Sequence, residues 1–136
     1  MPQISGIHHV SLPATDVMRS TDWFERVFGF SCLLIKEEED RIAMATMEHP
    51  AGVLLYLHQV PQEAAAASWL PGPASALALA VTDRPALMGW DSRLTDLGVE
   101  HGQPREAHLG WALDVIGPDG LRIQLHTRED LTSEGA

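Results

Sequence analysis

Seven histidines, one tyrosine and one cysteine are among the side chains through which this chain could move protons or hold a metal. Imidazole titrates near neutral pH and is a common metal ligand, so the histidines come first. His9, His58 and His126 stand in or beside apolar alternating stretches, whereas His108 precedes Gly110-Trp111 in a loop. Tyr56 lies two residues before His58, and Gln124 two residues before His126. His9 with Tyr56 would suit general-base and proton-donor work. His58 with His126 would suit a metal only if other donors joined them. Cys32 is alone, which excludes an internal disulfide, a thiolate cluster and a redox pair; it is expected to be a buried apolar residue.

These residues must be positioned by two similar halves. Val10–Asp16 (VSLPATD) overlays Leu77–Asp83 (LALAVTD), and Pro50, Gly52, Leu55 and Leu57 overlay Pro118, Gly120, Ile123 and Leu125 at nearly the same offset. In each half an alternating stretch leads to an Asp and then to apolar residues at helical spacing. Asp16 is the expected N-cap of a helix carrying Val17, Ser20, Phe24, Val27 and Phe28, ended by Gly29. Asp83 caps the second helix, with Pro85 in its first turn, a stripe of Leu87, Trp90, Leu94 and Leu97, and Gly98 at its end. Three strands should follow each helix, in the second half Val99–Arg105, Leu109–Ile116 and Leu121–Thr127, with Gly117-Pro118-Asp119-Gly120 as a tight turn. The single domain, 1–136, thus divides into a first module over 6–59, a connector over 60–73, a second module over 74–127 and a tail over 128–136.

Strand alternation then sorts the chemistry. Val10, Leu12 and Ala14 face the helix, leaving Ile7, His9 and Ser11 on the open face; Ala76, Ala78 and Ala80 are their counterparts. Leu55, Leu57, Ile123 and Leu125 face the helices, which turns Tyr56, His58, Gln124 and His126 outward. A few polar groups among small walls form a ligand-binding concavity. His9, Ser11, Tyr56, His58, Ala76, Ala78, Gln124 and His126 are the expected lining, joined by His108 and by Trp111 as the aromatic contact. By the same parity His8 points to the helix side as a structural residue. Trp90 belongs to the core, and Trp69 in the connector is a candidate cover.

Nine basic against nineteen acidic side chains give a formal charge of −10 over 136 residues, which repels phosphate backbones and excludes nucleic acid as a partner. The run Glu37–Asp40 reads as a solvated turn. No apolar stretch is long enough to span a bilayer and no leader is apparent, so a soluble, cytoplasmic chain without a membrane partner is expected. Phosphate-binding glycine loops and nucleophile elbows are not seen.

Three segments, GIHHVSLPATD, STDWFERVFGF and GWALDVIGPDGLRIQLHT, resemble the vicinal oxygen chelate superfamily of glyoxalases, bleomycin-resistance proteins and extradiol dioxygenases, over Gly6 to Thr127. The resemblance implies an α+β fold in which two βαβββ modules form an open, cup-shaped, eight-stranded mixed sheet with helices on its outer face. It also implies a homodimer and a small organic ligand bound in the cup. Metal-dependent members take ligands from four positions, which here are His9, Tyr56, Ala76 and Gln124. One imidazole and one amide without a carboxylate are a poor divalent site, so no metal or other cofactor is expected. The alternative is a shifted divalent site drawing on His9, Gln124, His58 and His126. The function implied is metal-independent sequestration of an antibiotic or other organic ligand. The competing reading is a lyase, isomerase, epimerase, cyclase or dioxygenase with His9 as base and Tyr56 as donor, or with the shifted metal.

Overall fold

In a computed structural model that describes residues 1–65 and 74–128, the chain divides into two compact units, Met1–Trp69 and Leu70–Ala136. Each unit is one βαβββ module, so the fold class is α+β. The first holds β1 (Val10–Ala14), α1 (Val17–Phe28), β2 (Ser31–Glu38), β3 (Arg41–His49) and β4 (Val53–Gln59). The second holds β5 (Leu77–Val81), α2 (Arg84–Asp96), β6 (Arg105–Ala107), β7 (Gly110–Ile116) and β8 (Arg122–Thr127). Hydrogen bonding makes two four-stranded sheets, ordered β1-β4-β3-β2 and β5-β8-β7-β6. β1 pairs with β4, and β5 with β8, in parallel; the other pairs are antiparallel. No helix among the described residues is long and apolar enough to cross a membrane.

The internal repeat is exact at the level of register. Val10 and Leu12 lie opposite Leu55 and Leu57, and Leu77 and Leu79 lie opposite Ile123 and Leu125. Leu12, Ala14, Ala45, Met47, Leu55 and Leu57 pack with Val17, Phe24, Val27 and Phe28 in the first core. Leu113, Val115, Ile123 and Leu125 pack with Leu87 and Leu94 in the second.

Both helices start and stop as their sequences require. The Asp16 carboxylate accepts from Arg19 N at 3.1 Å, and Asp83 from Ala86 N at 2.9 Å. Gly29 ends α1 at φ 78°, and Gly98 follows α2 at φ 70°, where Val99 N bonds back to Leu94 O. Gln59 ties β4 to the start of α1, its Nε2 donating to Thr15 O at 2.6 Å and its Oε1 accepting from Val17 N at 3.2 Å.

Several sequence expectations are corrected. Val99–Arg105 is not a strand: only a single bridge, His101 to Val115, forms there, and β6 begins at Arg105. Gly102 and Pro104 explain this, since proline has no N–H to give a ladder. His101 is held instead by side-chain bonds, Nε2 to Asp91 Oδ1 at 2.9 Å and Nδ1 to Val99 O at 2.8 Å. Trp90 is half-buried, with the Arg93 guanidinium 5.9 Å above its ring, because the α2 stripe buries only Leu87 and Leu94 fully. Cys32 is half-buried on the edge strand β2. Trp69 lies outside the described residues.

Candidate functional site

On the open face of the first module, β1 and β4 bring Ser11 beside Tyr56 in register, and β3 sets Thr46 on the other side of Tyr56. The His9 ring stacks on Tyr56 with centroids 3.8 Å apart and planes 14° from parallel. His58 closes the row, its ring 6.3 Å from Tyr56 and its Nε2 3.3 Å from Ser11 Oγ. His8 also belongs to this cluster and does not turn to the helix side. Its Nδ1 lies 2.9 Å from His9 Nδ1 and its ring is edge-on to Tyr56 at 6.5 Å. Regular alternation starts only at Val10, so parity counted from the strand does not govern His8.

This geometry limits the chemistry. Two imidazole Nδ1 atoms in hydrogen-bond contact share one proton, so one donates and the other accepts. His9 meets Tyr56 ring on ring, an arrangement that fixes both planes and leaves any proton transfer to occur with a third molecule. Lys36 and Met44 extend the face toward an open groove of about 820 Å³ that His58 and Gln59 also line.

The second module's open face is built differently. Ala78 and Ala80 are exposed where the first module carries Ser11 and Pro13, and Ala76 spends its N–H on Arg122 O at 2.8 Å. Gln124 stands opposite Ala78 and Asp114, and its Nε2 reaches Asp114 Oδ1 at 3.5 Å. Arg105 Nη2 donates to both Asp114 oxygens at 3.2 and 3.3 Å. Arg105 and Asp114 were missed from the sequence; for Asp114 the signal was there, because Leu113 and Val115 face the helix and Asp114 must face the other way. His126 lies between Ala80 and Ala112 in register, and its Nδ1 is 2.7 Å from Thr127 O. Ala78, Ala80, Leu109, His126 and Arg128 line a pocket of about 410 Å³.

Two expected contacts are not brought to this face. Trp111 alternates with Ala112 and shares the helix side with Leu113, where the Arg84 guanidinium sits 3.7 Å over its ring. His108 is exposed in the turn before β7 and lines neither groove.

The residues at the four positions do not fit a divalent cation. His9 is flanked by His8 and Tyr56, Ala76 has no donor atom, and the carboxylate nearest Gln124 is already paired with Arg105. Among the described residues, no three His, Cys, Asp or Glu side chains are grouped so as to hold a metal ion.

Comparison with known proteins agrees with the architecture. The family model described as Glyoxalase/Bleomycin resistance protein/Dioxygenase superfamily matches residues 6–125. A glyoxylase/bleomycin resistance protein/dioxygenase domain from Frankia sp. EAN1pec superposes with a TM-score of 0.76 at 22% identity, covering 93% of this chain and 100% of that one. TnmS3, an antibiotic binding protein from Streptomyces sp. CB03234, gives 0.67 at 21% identity over 95% and 100% of the two chains. The fosfomycin resistance protein FosX from Listeria monocytogenes, solved with Mn(II) and sulfate, gives 0.72 at 16% identity over 93% of each. No curated protein matches the sequence.

Proposed function

Because the chain belongs to the glyoxalase/bleomycin resistance protein/dioxygenase superfamily, we propose that it is a metal-independent small-molecule-binding protein that sequesters an antibiotic or other organic ligand on its open sheet faces. The observation that carries this reading is the donor set at the four positions where metal-dependent members hold their ion. Here it is His9, stacked on Tyr56, with Ala76 and with Gln124, whose amide is turned to Asp114. What remains is a pair of concave, mixed polar and apolar surfaces of the kind small ligands occupy. The likeness to an antibiotic binding protein supports the choice of ligand class.

Thermal shift against a panel of antibiotics and aromatic natural products tests this. A ligand at a hundred times its Kd should stabilise the chain by roughly 2.7 kcal/mol, without being consumed. Metal analysis after incubation with nickel, zinc, manganese and iron and then dialysis should find no near-stoichiometric metal. Retention of one overturns metal independence. The homodimer implied by the family is read from light scattering of the same sample.

The second reading, an enzyme with His9 as general base, is favoured by one observation. The His8–His9 contact runs through the two Nδ1 atoms and so leaves Nε2 of each ring to meet a ligand, with His9 stacked on the Tyr56 ring. Turnover of a panel compound that survives His9→Ala would remove that role.

A further inference from the structure

The two modules treat equivalent positions in opposite ways. In the first, the open face is filled by its own rings: His9 covers Tyr56 at 3.8 Å, and His58 stands between Pro13 and Met44. In the second, His126 occupies the place of His58 but stands between Ala80 and Ala112, and Ala78 lies next along β5. The small side chains of Ala78 and Ala80 leave space beside His126, and that space belongs to the pocket of about 410 Å³ that Leu109 and Arg128 also line.

The hydrogen bonding of His126 fixes what this space offers. Its Nδ1 is 2.7 Å from the Thr127 carbonyl, an acceptor, so Nδ1 carries the proton. In the neutral ring Nε2 is then a bare acceptor, and among the described residues no group bonds to it. A partner for this surface must give a hydrogen to Nε2, approaching in the plane of the imidazole, and lay a flat apolar body over the methyl groups of Ala78 and Ala80. Arg128 at the rim disfavours a cationic partner and favours one whose donor oxygen carries partial negative charge.

Resting on the small-molecule reading above, we infer that the second module's open face docks a hydroxylated aromatic ring, laid on Ala78 and Ala80 with its O–H donated in the imidazole plane to His126 Nε2. Apolar contact with the alanine floor supplies affinity, and the hydrogen bond discriminates a phenol from its ether.

The test titrates the full chain with 2-naphthol and with 2-methoxynaphthalene, which share the ring and differ in carrying an O–H or an O-methyl group. Naphthol should bind about 3- to 10-fold more tightly, the ratio expected of one net hydrogen bond. His126→Phe keeps a ring but has no acceptor and should make the two probes equal. Ala80→Leu fills the floor and should abolish binding of both. Long-range nitrogen–proton NMR of the unaltered chain, which needs no variant to fold, should show His126 protonated at Nδ1 and its Nε2 resonance shifted by naphthol but not by the ether. Equal affinity for the two probes, a His126 protonated at Nε2, or binding indifferent to a folded Ala80→Leu variant each overturns the inference. If panel antibiotics stabilise the chain while naphthol does not bind, this inference falls and the small-molecule reading stands. If no compound stabilises it, that reading falls and takes the inference with it.

Discussion

The His9–Tyr56 stack joins a residue preceding β1 to the middle of β4, so it anchors the entering chain as well as shaping the open face. Tyr56→Ala should destabilise the chain by about 1 kcal/mol in urea unfolding, near the worth of an aromatic pair, whereas Tyr56→Phe should leave stability almost unchanged. Thr21 makes the opposite case. It is buried in α1 with Oγ1 unpartnered among the described residues, a group whose desolvation costs about 1–3 kcal/mol. Thr21→Val keeps the shape and removes the unpaired oxygen, so the urea midpoint should rise; a fall would show that the hydroxyl has a partner in solution. At this scale the sequence was legible wherever a strand was regular. Alternation brought His9, Ser11, Tyr56 and His58 to one face because Leu55 and Leu57 had to face α1. It failed at His8, beyond the strand, and at Trp111, whose family-derived placement ignored that its neighbours Ala112 and Asp114 already claim the open side.

At the scale of elements, end signals were the most legible because each is local chemistry: a carboxylate for orphan N–H groups, a glycine for the left-handed residue. Asp16→Ala and Asp83→Ala should each cost about 1 kcal/mol, measured separately by denaturant unfolding. The β2–β3 hairpin shows what composition hides. The acidic run reads as a solvated turn, and in the structure only its last two residues, Glu39 and Asp40, form the turn, left-handed at φ 52° and 62°, while Glu37 and Glu38 end β2. Such a turn suits Asn-Gly, and bulkier residues there are strained by roughly 1–2 kcal/mol each. Replacing Glu39-Asp40 by Asn-Gly should therefore stabilise the chain by on the order of 1 kcal/mol, read as a higher thermal midpoint. The late start of β6 was harder to foresee. Val99 is buried and looked like a strand's first residue, but it closes α2 through its bond to Leu94 O, a role that helical spacing alone does not reveal.

At the scale of the whole molecule, the repeat was legible because both modules must bury the same alternate residues against a helix, whereas the difference between their open faces had no such constraint. Charge belongs to this scale too. Nineteen acidic groups face nine basic ones, and several cations are already engaged: Arg105 with Asp114, Lys36 with Glu38, Arg84 over Trp111. The excess acid repels itself across the folded surface, and less so in the expanded chain. Salt shortens the reach of that repulsion from about 30 Å at 0.01 M to about 10 Å at 0.1 M. Raising sodium chloride across this range should therefore raise the thermal midpoint by a few degrees, since about 1 kcal/mol moves a domain of this size by roughly 4 °C. A midpoint that falls with salt would mean that the paired cations, and not the unpaired carboxylates, dominate the field.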